Sequence, residues 1–485
     1  MDAQTLLSYN WLLMTPEWII LGGVILISVL DLLLPKKFNK DWLGYIGLAS
    51  IVGAGSVLLF LNPDDANGIL GESFVLDGFA KLFKTLLLAG AALIYLLSFQ
   101  EKKSEVTHRS EFFTLWLTAL LGGMFMSSSR DLITLFVGLE LLSISSYILA
   151  GFKKNNSKSN EAALKYVVNG GAATAITLFG MSYLYGITGT VSLTEMSAAL
   201  QSLENTNHLF ILGLSFFIIF TGLSFKIAAA PYHMWVPDVY EGAPTSVTAF
   251  LSVVSKTAGF ILIIRLFYTI FINASILDGE PLFIELQPYI AVLAAITMIA
   301  GNVIALKQRN VKRMLAYSSI GHAGYVLVAF ASPGSPLVFD AIWFYLFAYL
   351  FMNAGAFAIL MLTEQQTGSG DMASFAGMYR RSPVLAVLMG IFLLSLAGIP
   401  GTAGFMAKLT ILLSAFTGET PMIFLAAIML GTTIISYVYY FQVFTQIFFR
   451  QGKEQKPLRF HPAAGAVIII CTAGTVFFGI FPHIF

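Results

Sequence analysis

The chain has 485 residues, 57% of them hydrophobic and 11% charged, with a formal net charge of +1 and a mean hydropathy of +0.81. Soluble domains carry about 25% charged residues, so the composition excludes a soluble enzyme and implies an all-α polytopic membrane protein, because a helix satisfies its own backbone where no water is present. The single Cys471 excludes a disulfide framework and a Cys-ligated zinc or iron–sulfur site within the chain.

At about 20 apolar residues per span, fourteen transmembrane helices are expected, near residues 16–34, 42–61, 76–99, 110–128, 131–152, 161–187, 208–235, 244–269, 286–306, 311–331, 338–362, 384–415, 422–449 and 461–482. The first has no basic segment before it and reads as a permanent span instead of a cleaved signal peptide. Basic residues crowd the loops after odd-numbered helices: Lys36, Lys37 and Lys40 after the first, Lys102, Lys103 and Arg109 after the third, Lys307, Arg309, Lys312 and Arg313 after the ninth, Arg450, Lys453, Lys456 and Arg459 after the thirteenth. The loop after the seventh has none, and loops after even-numbered helices hold only Arg130. The positive-inside rule then places these loops in the cytoplasm and both termini on the outer side of the membrane. Lys81, Lys84 and Arg265 fall near outer helix ends, where their charged tips are expected to snorkel into water.

The remaining charges lie deeper. Glu140, in DLITLFVGLELLSISSY, follows Asp131 by nine residues, roughly 14 Å at 1.5 Å per residue and close to the midplane. A carboxylate there needs a cation to stay ionised. Lys226 and Lys256 are the candidates, and a neutral, hydrogen-bonded glutamate is the alternative. Lys165 follows Glu161 by four residues, a helix-stabilising spacing; its place after a basic loop also suits a proton-uptake residue or a modulator of a neighbouring site. Lys226 ends a helix just before Pro231, which lacks a backbone donor and clashes with the carbonyl of Ile227. A cation beside freed carbonyls is the make-up of an ion-handling site in transporters. His233 sits in the same elbow, where anchoring is an equal reading.

Lys256 is about twelve residues into the eighth helix, roughly 18 Å from its start. His322, in VKRMLAYSSIGHAGY, has Ser318 and Ser319 one turn before it. Hydroxyl neighbours at that depth favour proton relay over a packed core histidine. The stretch 384–415 would extend about 48 Å as one helix against a core near 30 Å. Gly398, Pro400, Gly401 and Gly404 are available to break it, and Lys408 follows. Burial and neighbouring cations suit these lysines to proton transfer near neutral pH.

Leu223-Ser224 precedes Pro231 as Leu394-Ser395 precedes Pro400. Helices four to eight and nine to thirteen form two units of five spans, and an odd number gives consecutive units opposite orientations. Two inverted repeats, each with a broken helix, form the transporter pattern. The expected organisation is residues 1–109 as three N-terminal spans, 110–270 and 286–450 as the repeats, and 461–485 as a last span.

FVGLELLSISSY, EAALKY, SFKIAAAPYHMWVPDVYEGAPTSVTAFLSVVSK, VKRMLAYSSIGHAGY and LSLAGIPGTAGFMAK resemble the antiporter-like subunits of respiratory complex I over nearly the whole chain. Lys408 where another member has glutamate, the PDVYEGAPTSV elbow, and a chain that stops without a long lateral helix make it most similar to the subunit N type. The resemblance implies a proton-translocating subunit of NADH-quinone oxidoreductase, acting through Glu140, Lys226, Lys256 and Lys408, with His322 and Lys165 in support and helix breaks at Pro231 and Pro400. It implies no cofactor or metal in this chain; NADH, FMN, iron–sulfur clusters and quinone belong to other subunits. The implied partners are membrane-arm subunits, the peripheral redox arm and lipid, with no nucleic acid. A subunit of a multi-subunit sodium/proton antiporter is the alternative, and a structural spacer a third reading.

Overall fold

The computed structural model describes residues 7–35, 39–63, 68–102, 104–201, 206–272, 282–418, 421–452 and 456–482. Lys36, Lys37, Lys103 and Lys453, counted above among the basic loop residues, lie outside them, as do both chain ends. Among the described residues the spans are α1 (Thr15–Leu33), α2 (Leu43–Phe60), α3 (Gly78–Ser98), α4 (Arg109–Ser128), α5 (Leu132–Ala150), α6 (Ser157–Thr188), α7 (Thr206–Ile227), α8 (Thr245–Ile270), α9 (Leu282–Ala305), α10 (Val311–Phe330), α11 (Val338–Thr367), α12 in two pieces (Pro383–Ala397 and Ala403–Thr417), α13 (Ile423–Phe449) and α14 (Pro462–Ile480). These are the fourteen expected helices. Eleven of them are long and apolar enough to cross a membrane; α4 and α10 are less apolar, and the pieces of α12 are shorter. No strand forms among the described residues, only isolated bridges. A short helix, Val236–Gly242, connects α7 to α8.

Polar side chains start several of the spans. Asp77 accepts from the Ala80 N–H at 2.7 Å, Asp131 from Thr134 at 2.8 Å and Asn310 from Arg313 at 3.3 Å, each satisfying a donor that the first turn leaves free. In the seventh span the helix stops at Ile227, four residues earlier than Pro231. Ala228 takes a left-handed conformation with φ 63°, and the Ala230–Pro231 peptide is cis. Trp235 turns its indole N–H onto the Phe225 carbonyl at 3.3 Å and stacks on Tyr166, so the break is sealed by a side chain. The expected break in α12 comes from Gly398 and Gly401, with φ of 87° and 86°, values that favour glycine. Gly398 closes the first piece with N–H bonds to Leu394 and Ser395, both 3.0 Å.

The helices are layered about α8, whose most apolar window is 100% buried, with α11 (89% buried) beside it. α4 packs on α5, α6 on α7 and α9 on α10. Two of these contacts are built alike. A Cβ at Gly122 would lie 2.6 Å from the Gly138 carbonyl across α4 and α5, and one at Gly324 would lie 2.8 Å from the Met298 nitrogen across α9 and α10. Small residues let helix backbones approach closely in a bilayer.

The snorkelling expectation needs correcting. Lys81 does reach past its own span, to the Leu59 and Leu61 carbonyls at 3.2 and 2.7 Å. Lys84 does not: it is 0% exposed and pairs with the equally buried Glu17 of α1 at 2.5 Å. Arg265 is also buried and grips Asp77 with both guanidinium nitrogens, at 2.5 and 2.9 Å. Both charges were placed at water because their partners are distant in sequence. The partners fasten the N-terminal helices to the bundle.

Removing one member of a buried pair strands the other, at a cost of about 3–5 kcal/mol, whereas replacing both with apolar residues of similar volume is near neutral. Glu17→Leu should therefore lower the melting temperature of the detergent-solubilised protein, and Glu17→Leu with Lys84→Met should recover most of the loss.

Candidate functional site

Four buried basic side chains lie on α7, α8, α10 and the second piece of α12. Lys226 donates to Ser143 Oγ of α5 at 3.0 Å. Its stem crosses α8 at Gly259, where a Cβ would meet Lys226 Cγ at 3.1 Å. Lys256 donates to the Ser319 carbonyl at 2.6 Å and to Ser319 Oγ at 2.9 Å. One turn on, His322 places Nδ1 2.5 Å from the Tyr345 hydroxyl and Nε2 3.2 Å from the Tyr440 hydroxyl, and Tyr440 bonds in turn to Ser318. Lys408 donates to the carbonyls of Leu396 and Ala397, at 3.1 and 2.8 Å, and lies 5.1 Å over the Tyr325 ring.

Glu140 is half-buried, three residues before Ser143 on α5. It is near enough to act electrostatically on Lys226, yet among the described residues the two form no ion-pair contact, and Glu140 Oε1 has no hydrogen-bond partner. The expected pairing is thus one of charge proximity, with Ser143 standing at the ammonium. Lys256 and Lys408 act in the same way on His322. These five candidates, Glu140, Lys226, Lys256, His322 and Lys408, are referred to together as the file; the Lys226 stem meets α8 at Gly259, three residues after Lys256.

The two breaks serve their lysines differently. In α12 the carbonyls freed at the end of the first piece hold Lys408, as expected, and only glycine fits at 398, because a Cβ there would lie 2.9 Å from Lys408 Cδ. At Pro231 the freed carbonyl of Phe225 goes to Trp235 instead, leaving Lys226 to a hydroxyl. His233 is buried beside Pro231.

Lys165 stands apart from the file. It is 40% exposed and bonds Glu161 at 2.6 Å and Asp238 at 2.5 Å. Asp238 and Glu241, on the short helix between α7 and α8, also take Arg313 of α10 at 2.6 and 2.9 Å, and Glu241 takes Lys158 at 2.6 Å. This network ties the connector of the broken helix to both α6 and α10.

Sequence reasoning missed Tyr345 and Tyr440, which carry no local signal on their apolar helices, and the π-helical turn Leu251–Ser255 directly before Lys256. Ser143 could have been found from its spacing to Glu140.

What distinguishes the file chemically is the absence of matched countercharge. Lys84, Arg265 and Lys312 each touch a carboxylate, at 2.5, 2.5 and 3.1 Å. Among the described residues the hydrogen bonds of Lys226, Lys256 and Lys408 go to hydroxyls and carbonyls. A fixed buried cation is expensive without a partner, whereas an amine that exchanges its proton needs acceptors that tolerate both states. The groups can pass protons; among the described residues no cluster of His, Cys, Asp and Glu could hold a metal.

A family model described as NADH:quinone oxidoreductase/Mrp antiporter, TM, matches residues 129–436. The chain is 55% identical over its full length to NADH-quinone oxidoreductase subunit N of Anoxybacillus flavithermus, covering 97% of that protein. The chain belongs to the subunit N family of NADH-quinone oxidoreductase. The subunit N fold matches a chain in a structure of respiratory complex I from Thermus thermophilus at a TM-score of 0.80 and 28% identity, covering 97% of this chain and 98% of that one. A chain of the Mrp complex from a Dietzia species shares the fold alone, at TM-score 0.81 and 19% identity over 98% and 95% of the two chains. The protein is thus an antiporter-like membrane subunit of a bacterial respiratory complex.

The Asp238–Glu241 network has a defined pH behaviour. Burial raises the Asp238 carboxyl, but bonds from Lys165 and Arg313 outweigh it and hold it below the ordinary 3.8. Glu241 is likewise held below 4.5, against burial, by Lys158 and Arg313. A depressed carboxyl contributes stability above its unfolded pKa and loses it as pH falls through the folded value. Stability of the solubilised protein should therefore be insensitive to these groups from pH 5 to 8 and drop only below about pH 4. Asp238→Asn should weaken that acid step without changing the neutral plateau's pH slope.

Proposed function

We propose that this subunit moves protons across the membrane along the file Glu140–Lys226–Lys256–His322–Lys408, driven by electron transfer from NADH to quinone in other chains of the complex. The observation that carries the proposal is that buried Lys226, Lys256 and Lys408 donate to hydroxyls and carbonyls, whereas buried Lys84, Arg265 and Lys312 each touch a carboxylate. NADH, FMN, iron–sulfur clusters and quinone act in the peripheral redox arm and the chains that join it to the membrane arm. This subunit supplies only proton positions.

In the resting arrangement Glu140 stabilises the charged form of Lys226 from a short distance. When Glu140 is drawn away or neutralised, the Lys226 ammonium loses that support. Its proton then passes inward to Lys256, whose acceptor Ser319 lies one turn before His322. The imidazole has two ring nitrogens, one toward Tyr345 and one toward Tyr440, so it can take a proton on one side and release one on the other. Lys408 is the terminal acceptor, held by carbonyls at the second break. The two breaks belong to inverted repeats spanning 110–270 and 286–450, so their openings face opposite sides of the membrane, with the basic loops in the cytoplasm and both termini in the periplasm. Lys165 adjusts the connector through Asp238 and lies outside the transfer path. Full-length identity to curated subunit N proteins supports this reading over a sodium/proton antiporter.

Lys226→Ala and Glu140→Ala should each abolish or strongly reduce proton pumping per electron in the assembled, reconstituted complex, with subunit content unchanged on a native gel. Normal pumping in both variants would sink the proposal. Tyr440→Phe removes one hydroxyl facing His322 and should slow pumping more than it slows quinone reduction.

A further inference from the structure

One polar cavity lies outside the file. It encloses about 370 Å³ on the face that carries the basic loops, and its lining includes Glu101, Glu105, Lys153, Thr245, Glu364 and Gln365. Two of its carboxylates bind the first turn of α8, the helix that carries Lys256. Glu101 accepts from Ser246 N and Oγ at 3.1 and 2.8 Å and is 5% exposed, so it is fixed as a cap. Glu364, at the end of α11, accepts from Thr245 Oγ1 at 2.5 Å and pairs with the buried Lys312 at 3.1 Å, yet its side chain keeps 27% exposure. It is the carboxylate placed to meet both water and helix.

Inward from Thr245, buried hydroxyls follow at helical spacing. Thr248 is three residues on, Ser252 four more, and Lys256 four more again, so the row lies along one face of α8. Thr248 and Ser252 are both 0% exposed. Ser252 accepts from Asn353 of α11 at 2.8 Å, which adds a second polar group at the same level. The π turn Leu251–Ser255 contains Ser252 and ends directly before Lys256, and such turns are frequent at functional sites. Helix hydroxyls bonded to nearby backbone carbonyls are common: Ser252 donates to Ala249, and Thr248 to Pro244 and Tyr240. Two features here exceed that: the row starts at a partly exposed carboxylate and ends at a lysine without a carboxylate in contact among the described residues.

We propose that this cavity is a proton inlet serving Lys256 directly, with Glu364 as the group that takes protons from solution and Thr245, Thr248 and Ser252 as the route inward. The proposal rests on the relay reading above and adds a feed to its centre. In each cycle protonated Glu364 releases its proton to the hydroxyl row, and neutral Lys256 Nζ gains one. The carboxylate left behind is reprotonated from the cavity, so charge balances. The path covers eleven residues of α8, roughly 16 Å.

The test uses the complete complex in proteoliposomes, with proton uptake read against quinone reduction. Glu364→Gln should slow uptake about a hundredfold, the low end for removal of a general acid, while Glu364→Asp keeps it. If Glu364 serves only to neutralise Lys312, the double variant Glu364→Gln/Lys312→Met will pump normally, and the inlet is overturned. Normal pumping in Glu364→Gln while Lys256→Ala fails overturns the inlet and leaves the relay standing. Normal pumping in Lys256→Ala and Lys226→Ala removes the relay and the inlet together. Should Glu364→Gln fail to assemble, Ser252→Cys decides: Cys471 is buried, so a small membrane-impermeant thiol reagent should label position 252 from the basic-loop face and block uptake. No labelling from that face overturns the inlet.

Discussion

A charge inside a bilayer must have a partner, and the whole molecule is arranged around how that demand is met. Two solutions coexist. At Glu17–Lys84 and Asp77–Arg265 opposite charges meet at contact distance and join helices that are not neighbours in the chain. Along the file, lysines rest on hydroxyls and carbonyls that accept a hydrogen bond without cancelling the charge. The first solution makes a rigid frame. The second leaves protonation free to change, and it occurs where two helices are interrupted and a third carries a π turn.

The frame explains why the interruptions are tolerated. Ending α7 at Ile227 and splitting α12 at Gly398 frees backbone groups that lipid cannot satisfy. Each is enclosed by protein. Trp235 covers one and Lys408 the other, with α8 packed against α7 at the first and α11 against both pieces of α12 at the second. Irregular backbone at membrane depth survives only under such cover, so the polar interior and the packed exterior are one design.

Much of this was legible in the sequence. Span number and order follow from apolar run length and the alternation of basic loops, both local properties. Glu140, Lys226, Lys256, His322 and Lys408 stood out because charge is rare in apolar helices. What stayed hidden was pairing. Nothing near Lys84 in the chain points to Glu17, and the Trp235–Phe225 contact that diverts the carbonyl from Lys226 depends on a three-dimensional turn. Lys165 was drawn toward the file by its motif, whereas Asp238, brought close by the connector, holds it at the surface. Tyr345 and Tyr440 reach His322 from helices with no polar periodicity.

The five members of the file differ in how much of their surroundings this chain provides. Lys408 is surrounded by its own helix break, Gly398 and Tyr325, all supplied by one polypeptide. Glu140 is half-buried on α5, and Ile133, Val137, Ile144 and Ile148 on that helix are between 50% and 60% exposed. Whatever packs over that apolar face sets the dielectric around Glu140 and leaves Lys408 untouched. The five groups are therefore enclosed by their own chain at Lys408, whereas at Glu140 they border the exposed apolar stripe of α5.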